Sequence, residues 1–422
     1  MSATVVSPPH DLDRLREPDE AAAIIRAHTP LLPVERVPLL ELAGRVLGED
    51  VVSDADYPAF PAATVDGYAV RSDDSMPVRR VIGSQYAGTM TAAAVLHVEP
   101  GTAAYVTTGA PIPSGADAMV MIEQTESVQG AGAAGDAVRI VTPPKRGDGI
   151  RAVGSDLKRG ERVLAVGSVL TPAAVGLLAS LGYTSALVPR RPRVSVLATG
   201  DELVEPGQPL GPGQIRDANR FALVAALAPL GVTLVYAGLA PDTDAAQRAF
   251  LTARIADSDV IITSGGVSMG RKDLVKGLLT ELATVHFRQL RMRPGKPFTF
   301  ATAGAEGHTL IFGLPGNPVS GLVGFEVFVR AALLRMQGYI AAERPRVPVR
   351  LTHEVTPIDR IDYMRVTLTR TDDGTLEAHS TGAQQSSRLA SLIGAQALMI
   401  VPPRAEPYRD GEMLHALLLE LV

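Results

Sequence analysis

Twice within residues 259–328 an apolar run ends in a glycine-rich turn and opens onto helical spacing. The first is DVIITSGGVSMGRKDLVKGLL (259–279) and the second TLIFGLPGNPVSGLVGFEVF (309–328). An apolar strand must be covered on both faces, and a strand–turn–helix order supplies that cover. The same order recurs upstream. RVSVLATGDEL (193–203) precedes the helical GQIRDANRFALVAALAPLG (213–231), and TLVYAGLAPD (233–242) precedes the helical TDAAQRAFLTARI (243–255). Either Asp217 or Asn219 can cap the first of these helices, which ends at Gly231. Strands alternating with helices predict βαβ units and a mostly parallel sheet.

In such sheets ligands sit outside the carboxyl ends of the strands. Here those ends carry Thr199-Gly200-Asp201-Glu202, Asp242, Ser264-Gly265-Gly266 and Gly313-Leu314-Pro315-Gly316-Asn317. Ser-Gly-Gly at a strand end presents backbone N–H groups to an oxyanion. The spacing is not that of a Walker A loop. Pro318 suits the first helical position after the later turn, with Ser320 in the first turn.

Between these two blocks lies RMRPGKPFTFA (291–301), a Pro-Gly turn flanked by Arg293 and Lys296 and leading into a strand from Pro297. The chain has five lysines, and Lys272, Lys276 and Lys296 all fall within residues 259–328. Arginine supplies the other 35 of the 40 basic residues. An ammonium is a compact point charge, whereas a guanidinium is a planar fork. This clustering points to a phosphorylated ligand. Glu202, Asp242 and Asp273 read either as oxygen ligands for Mg²⁺ beside that phosphate or, for the two aspartates, as helix caps. No activated nucleophile is visible, so catalysis would rest on positioning, metal and charge neutralisation.

Composition removes other classes. The formal net charge of -5 gives no electrostatic footprint for nucleic acid. Without cysteine there are no disulfides, thiol nucleophiles or Cys-ligated metals. The first residues lack the basic and apolar regions of a secretory signal, and the apolar stretches are broken by Gly and Pro. We expect a soluble cytoplasmic protein that neither spans a membrane nor binds nucleic acid.

The flanking texture divides the chain. Residues 11–28 and 190–340 form the α/β part, with a helix from Pro18 to His28. Residues 29–50 and 145–189 form a small linker subdomain, with a helical piece over 39–46 and a strand pair followed by a helix in 149–182. Residues 51–144 form an inserted β-rich subdomain and 341–422 a C-terminal β subdomain, with a hairpin turn at Thr371-Asp372-Asp373-Gly374. In the inserted part, PAFPAATVDGYAV (58–70) and TTGAPIPSGADAMVMIEQTE (107–126) read as turn chemistry or as part of a site.

VDGYAV, TTGAPIPSGADAMV, ATGDEL, GQIRDANRFAL, TSGGVSMGRKD, RPGKPFTFA and GLPGNPVSGLVGF occur in this order between residues 65 and 325. Together they resemble the molybdopterin molybdenumtransferase family, which includes the gephyrin E domain. The resemblance implies a multidomain α/β plus β chain. One three-layer α/β subdomain would be similar to molybdopterin adenylyltransferase, beside an inserted β-rich domain, a linker domain and a C-terminal β-barrel-like domain. It implies a homodimer that inserts molybdate into adenylylated molybdopterin, with Mg²⁺ and release of AMP, and the molybdopterin adenylyltransferase as a further partner.

By the same resemblance, Asp66, Thr108, Glu202, Asp242, Asp273 and Lys296 are catalytic. Ser264, Gly265, Gly266, Lys276, Arg293, Pro297, Gly316, Asn317, Ser320, Arg365 and Ser386 bind substrate. Glu202, Asp242 and Asp273 hold the metal. The sequence departs from the family pattern at Pro61 and Ala63-Thr64-Val65, at Arg271 and Leu274, and at Arg293, where a lysine is usual. Two other functions compete: the adenylyltransferase step itself, and a non-catalytic scaffold of the gephyrin type.

Overall fold

The computed structural model describes residues 12–88, 96–129, 133–240, 243–266, 274–304 and 307–419. The chain forms two compact units. One comprises residues 1–48, 169–171 and 185–422, and the other 49–168 and 172–184.

The larger unit is organised by a six-stranded sheet. Its strands are β1 (Arg193–Thr199), β2 (Thr233–Ala240), β3 (Val260–Ser264), β4 (Thr284–Gln289), β5 (Pro297–Ala303) and β6 (Thr309–Leu314). Their order is β2-β1-β3-β6-β5-β4. The first four are parallel, with Val196 opposite Ile262 and Ile262 opposite Phe312. β5 runs antiparallel to β6, and β4 antiparallel to β5.

Side chains alternate across this sheet and build two cores, as the pleat requires. Val260, Ile262, Phe300 and Phe312 face Ala21 and Ile25 of helix Pro18–His28, Leu223 and Leu227 of helix Asn219–Leu227, and Phe325 and Phe328. Ile261, Ala301 and Ile311 face Leu251 of helix Asp244–Asp257 and Leu278 and Leu279 of helix Leu274–Leu282. This is a three-layer α/β body. Phe298 stands edge-on to Phe312 and Phe328, with centroids 6.3 and 5.0 Å away. Each such ring, fully buried, stabilises the fold by roughly 1.5–3 kcal/mol.

The C-terminal strands are β7 (Arg346–Leu351), β8 (Ile361–Arg370), β9 (Leu376–Ser380), β10 (Ala397–Val401) and β11 (Met413–Leu418). They pair in the order β8-β9-β7-β11-β10, and β10 returns to β8, which closes a five-stranded barrel. Closure removes the exposed edges that an open sheet would leave. Val349, Leu351, Val366, Ala378, Met399 and Ala416 fill it. Met292–Arg293 adds a short parallel strand beside Ile361 and Asp362.

Two local expectations are corrected. Residues 39–46 are not a helix. A single 3₁₀ turn, Leu39–Glu41, follows strand Val34–Pro38, and Gly44 has φ 78°, which leaves the helical region. In 149–182 the two short strands do not pair with each other. Ile150–Arg151 pairs with Ala62–Ala63, and Arg162–Leu164 with Val51–Val52. The following helix is Pro172–Ser180.

In the second unit a six-stranded sheet has the order Ala118–Met121, Gly67–Val70, Thr102–Val106, Val78–Gln85, Ala137–Ile140, Thr125–Gln129. Among the described residues no helix is long and apolar enough to cross a membrane.

Candidate active site

The strand ends β1, β3 and β6 converge on a cavity of about 300 Å³, lined by Thr199, Gly200, Glu202, Arg216, Asn219, Ser264, Gly265, Gly266 and Gly316 among others. Backbone geometry explains the glycines. Gly265 has φ 93°, and a Cβ there would lie 2.5 Å from the Thr199 carbonyl oxygen. Gly266 follows at φ 68°. Only glycine adopts both conformations without strain. A Cβ on Gly316 would reach 3.8 Å from the Gly265 Cα, so the two loops approach backbone to backbone.

Asn219 ties these loops together. Its Nδ2 donates to Ser264 Oγ at 2.8 Å and to the Gly316 carbonyl at 2.7 Å. Asp217, fully buried at the side chain, fixes the approach to Asn219. Its carboxylate accepts from the Arg220 N–H at 3.1 Å and from Arg220 Nε at 2.9 Å. Arg220 also reaches Glu205 at 2.5 Å. Arg216, by contrast, donates to the Gln208 carbonyl at 3.1 Å and makes no ion pair among the described residues. Thr199 Oγ1 is buried on the same cavity with no hydrogen-bond partner among the described residues.

Glu202 is exposed on the cavity wall, and a Cβ on Gly200 would lie 2.7 Å from its Oε1. Its oxygens suit a hard cation. Among the described residues no group of three or more His, Asp or Glu side chains could hold a metal ion. Asp242 and Asp273 lie outside the described residues, as do Arg271 and Lys272. Lys276 belongs to helix Leu274–Leu282.

The remaining residues of the larger unit gather elsewhere. The Arg293–Lys296 turn lies against the start of helix Pro318–Gly324. A Cβ on Gly295 would be 3.7 Å from the Ser320 carbonyl oxygen. Ser386 joins from the barrel side, its carbonyl accepting from the Val319 N–H at 3.1 Å. Asn317 precedes that helix, and its carbonyl accepts from the Gly321 N–H at 3.0 Å.

Lys296 is exposed and Ser320 buried, while Pro297 opens β5 opposite Gln289. Arg293 is ion-paired with buried Asp362, whose hydrogen bond raises the guanidinium pKa further. Arg365 is fully buried in β8. Its Nε reaches Ser391 Oγ at 3.2 Å and its Nη2 the Gln385 carbonyl at 3.4 Å, whereas Nη1 is buried without a partner among the described residues.

In the second unit Asp66 and Thr108 meet. Asp66 Oδ1 accepts from the Thr108 N–H at 2.7 Å and from its Oγ1 at 2.9 Å. These two bonds, the backbone one first, lower the Asp66 pKa and keep it ionised. Gly67 is obligatory here, since a Cβ would lie 2.0 Å from the Val120 carbonyl oxygen.

The sequence reading passed over Thr199, Arg216 and Asn219 as site residues. The signals were weak: a threonine before a glycine turn, one arginine among many, and an asparagine readable as a cap.

An α/β body with its cavity at the carboxyl strand ends, followed by a closed barrel, defines a molybdopterin-handling class of protein by its family matches. Family models match at residues 16–182 (MoeA N-terminal region, domain I and II), 195–335 (probable molybdopterin binding domain) and 348–419 (MoeA C-terminal region, domain IV). The chain belongs to the molybdopterin molybdenumtransferase family, enzymes of molybdenum cofactor biosynthesis. It is 35% identical to the molybdopterin molybdenumtransferase of Haemophilus influenzae, over 90% of this chain and 92% of that one. It is 37% identical to molybdopterin molybdenumtransferase 2 of Mycobacterium tuberculosis, over 93% and 96%. Against the gephyrin of Dictyostelium discoideum it is 35% identical over 95% of its own length, but spans 62% of that longer protein. A Pyrococcus molybdopterin biosynthesis moea protein of known structure superposes with a TM-score of 0.80 at 30% identity, over 97% of this chain and 100% of that one.

Proposed function

We propose that this chain inserts molybdate into adenylylated molybdopterin, releasing AMP. The observation that carries the reading is the cavity at the ends of β1, β3 and β6. Ser264, Gly265, Gly266 and Gly316 there offer hydroxyl and backbone groups to a phosphoanhydride, beside Glu202. A bound Mg²⁺ would neutralise part of the anhydride's charge. Glu202 would supply one of its oxygen ligands, with Asp242 and Asp273 the other two.

The second cluster suits the smaller oxyanion. Lys296 is exposed beside it, and the Nη1 of Arg365, unpartnered among the described residues, is a buried cationic donor. Molybdate bound there would be held between the α/β body and the barrel. Asp66 and Thr108 form a preformed polar pair, ionised at neutral pH. The reading includes a cytoplasmic homodimer that receives its substrate from the molybdopterin adenylyltransferase.

The test supplies adenylylated molybdopterin, molybdate and Mg²⁺ to the purified chain and measures AMP release and active cofactor. AMP release that needs both molybdate and Mg²⁺ supports the reading. ATP consumption with metal-free molybdopterin would instead assign the adenylylation step. Sedimentation of the purified protein decides the dimer.

A further inference from the structure

Asn219 opens helix Asn219–Leu227, but its amide is turned to the cavity. Chemistry fixes which way the amide faces. The Gly316 carbonyl can only accept, so the atom 2.7 Å from it must be the NH₂ group. The second N–H then goes to Ser264 Oγ at 2.8 Å, and the serine oxygen is the acceptor in that contact. Its own proton must point to a third atom. Among the described residues the structure shows no acceptor for it. Ser264 is 2% exposed and lines the cavity. Thr199, 4% exposed, brings to the same cavity a second hydroxyl without a partner among the described residues. Two buried hydroxyls left open on one cavity call for an oxygen that accepts from both.

We propose that Asn219 is a positioning residue that sets Ser264 as a hydrogen-bond donor to an anionic oxygen of the substrate, while locking the Gly316 loop to the Ser264 loop. The anionic oxygen is a phosphate or phosphoanhydride oxygen, so the inference rests on the substrate proposed above. The Asp217–Arg220 pair holds the turn from which Asn219 projects. The polarity of the serine is thus decided on a wall of the cavity, at a residue more than 40 positions away in the chain.

Replacing the amide by a carboxylate reverses that polarity. In Asn219→Asp the serine proton turns to the new carboxylate, away from the ligand. In Asn219→Ala it stays free to turn inward. A purely structural tie predicts the opposite ranking, because the aspartate keeps a bond to Ser264 and the alanine keeps none.

Binding of adenylylated molybdopterin is measured by calorimetry without molybdate, so that no turnover is needed. We expect Asn219→Ala to bind about 10-fold more weakly than the unaltered chain, and Asn219→Asp about 100-fold more weakly. In a Ser264→Ala background the extra factor of Asp over Ala should fall toward unity. Equal affinities of the two variants overturn the inference. An extra factor that persists in that background does so too, since it would then be charge repulsion alone. Should Asn219→Asp not fold, Asn219→Ala with and without Ser264→Ala carries the test, and their losses must be less than additive. No binding by the unaltered chain overturns this inference and the proposed function together. Binding without AMP release, once molybdate and Mg²⁺ are added, overturns the function alone.

Discussion

Strand β3 begins beside Asp259 and ends at Ser264, and its two ends are finished in opposite ways. At the start, Asp259 takes both guanidinium nitrogens of Arg190 at 2.6 and 2.7 Å and the Arg193 N–H at 2.8 Å. Burial pushes that carboxyl pKa up, but the Arg190 fork, the Arg193 N–H and the two cations together bring it below its ordinary value. At the finish, among the described residues, the Ser264 proton has no acceptor, Thr199 Oγ1 at the end of neighbouring β1 has no partner, and Arg216 has no carboxylate. The same strand is closed at one end and open at the other. Polar groups at the closed end hold the sheet together, and those at the open end are available to a ligand.

Substitutions at the two ends should therefore separate activity from stability. The largest effect is expected at the open end. Glu202→Gln should lower turnover by about 1000-fold, a loss comparable to removing one well-placed electrostatic contact to the transition state, with no change in melting temperature. Turnover within tenfold of the unaltered chain would remove Glu202 from the site. Asp259→Ala should cost about 3 kcal/mol of stability, because two arginines lose their buried partner. Its turnover per folded molecule should stay unchanged. A denaturant titration measures the first, and an active-site-normalised assay the second.

A third region sharpens the contrast through pH. His286, on edge strand β4, donates to or accepts from Thr302 Oγ1 at 3.0 Å and stacks on Phe300. The ring of His28, from helix Pro18–His28, lies 3.9 Å away. Burial, and then the charge of His28, lower the His286 pKa to about 4. The folded state thus binds this proton less readily than the unfolded chain, whose imidazole has a pKa near ~6.5. Stability from this group is complete above that value and is lost as pH falls toward 4, by up to about 1.4 kcal/mol per pH unit. Urea unfolding between pH 7 and 4.5 should show this slope, and His286→Phe should flatten it. An equal slope in the variant would place the titration elsewhere.

The smallest effect belongs again to the open end. Thr199→Val removes a buried hydroxyl that has no partner among the described residues, so stability should rise by up to about 1 kcal/mol. Affinity for adenylylated molybdopterin should fall about tenfold. A variant that is less stable would show that the hydroxyl is satisfied in the free protein.

The glycine-terminated apolar runs made the parallel part of the sheet and the glycine turns at its carboxyl end legible in the sequence, because strand, turn and helix signals there are all local. The edge strand β4 was not. It follows helix Leu274–Leu282 with no Gly or Pro between them, and its alternation over TVHFRQ is short. Residues 39–46 have helical apolar spacing, and only the backbone at Gly44 shows that the chain turns away.

At the site, Ser264, Gly265, Gly266, Gly316 and Glu202 could be named from their motifs. The bridge made by Asn219 could not, since it joins residues 219, 264 and 316 through folding alone. Nor could the ion pair that holds Arg293, because its partner Asp362 lies in another subdomain.

The short strand Met292–Arg293 stitches the sheet to the barrel. It pairs with Ile361 and Asp362, while the next turn runs straight into β5. Arg291 reinforces the seam by donating from Nε and Nη2 to the Asp359 carbonyl, at 3.0 and 2.9 Å. A motion that drew the Arg293–Lys296 turn away from the barrel would have to break backbone pairing and the Arg293–Asp362 ion pair in the same step. The span between the cavity and the barrel-side cluster is therefore set when the chain folds, and a substrate long enough to touch both meets a gauge of fixed length.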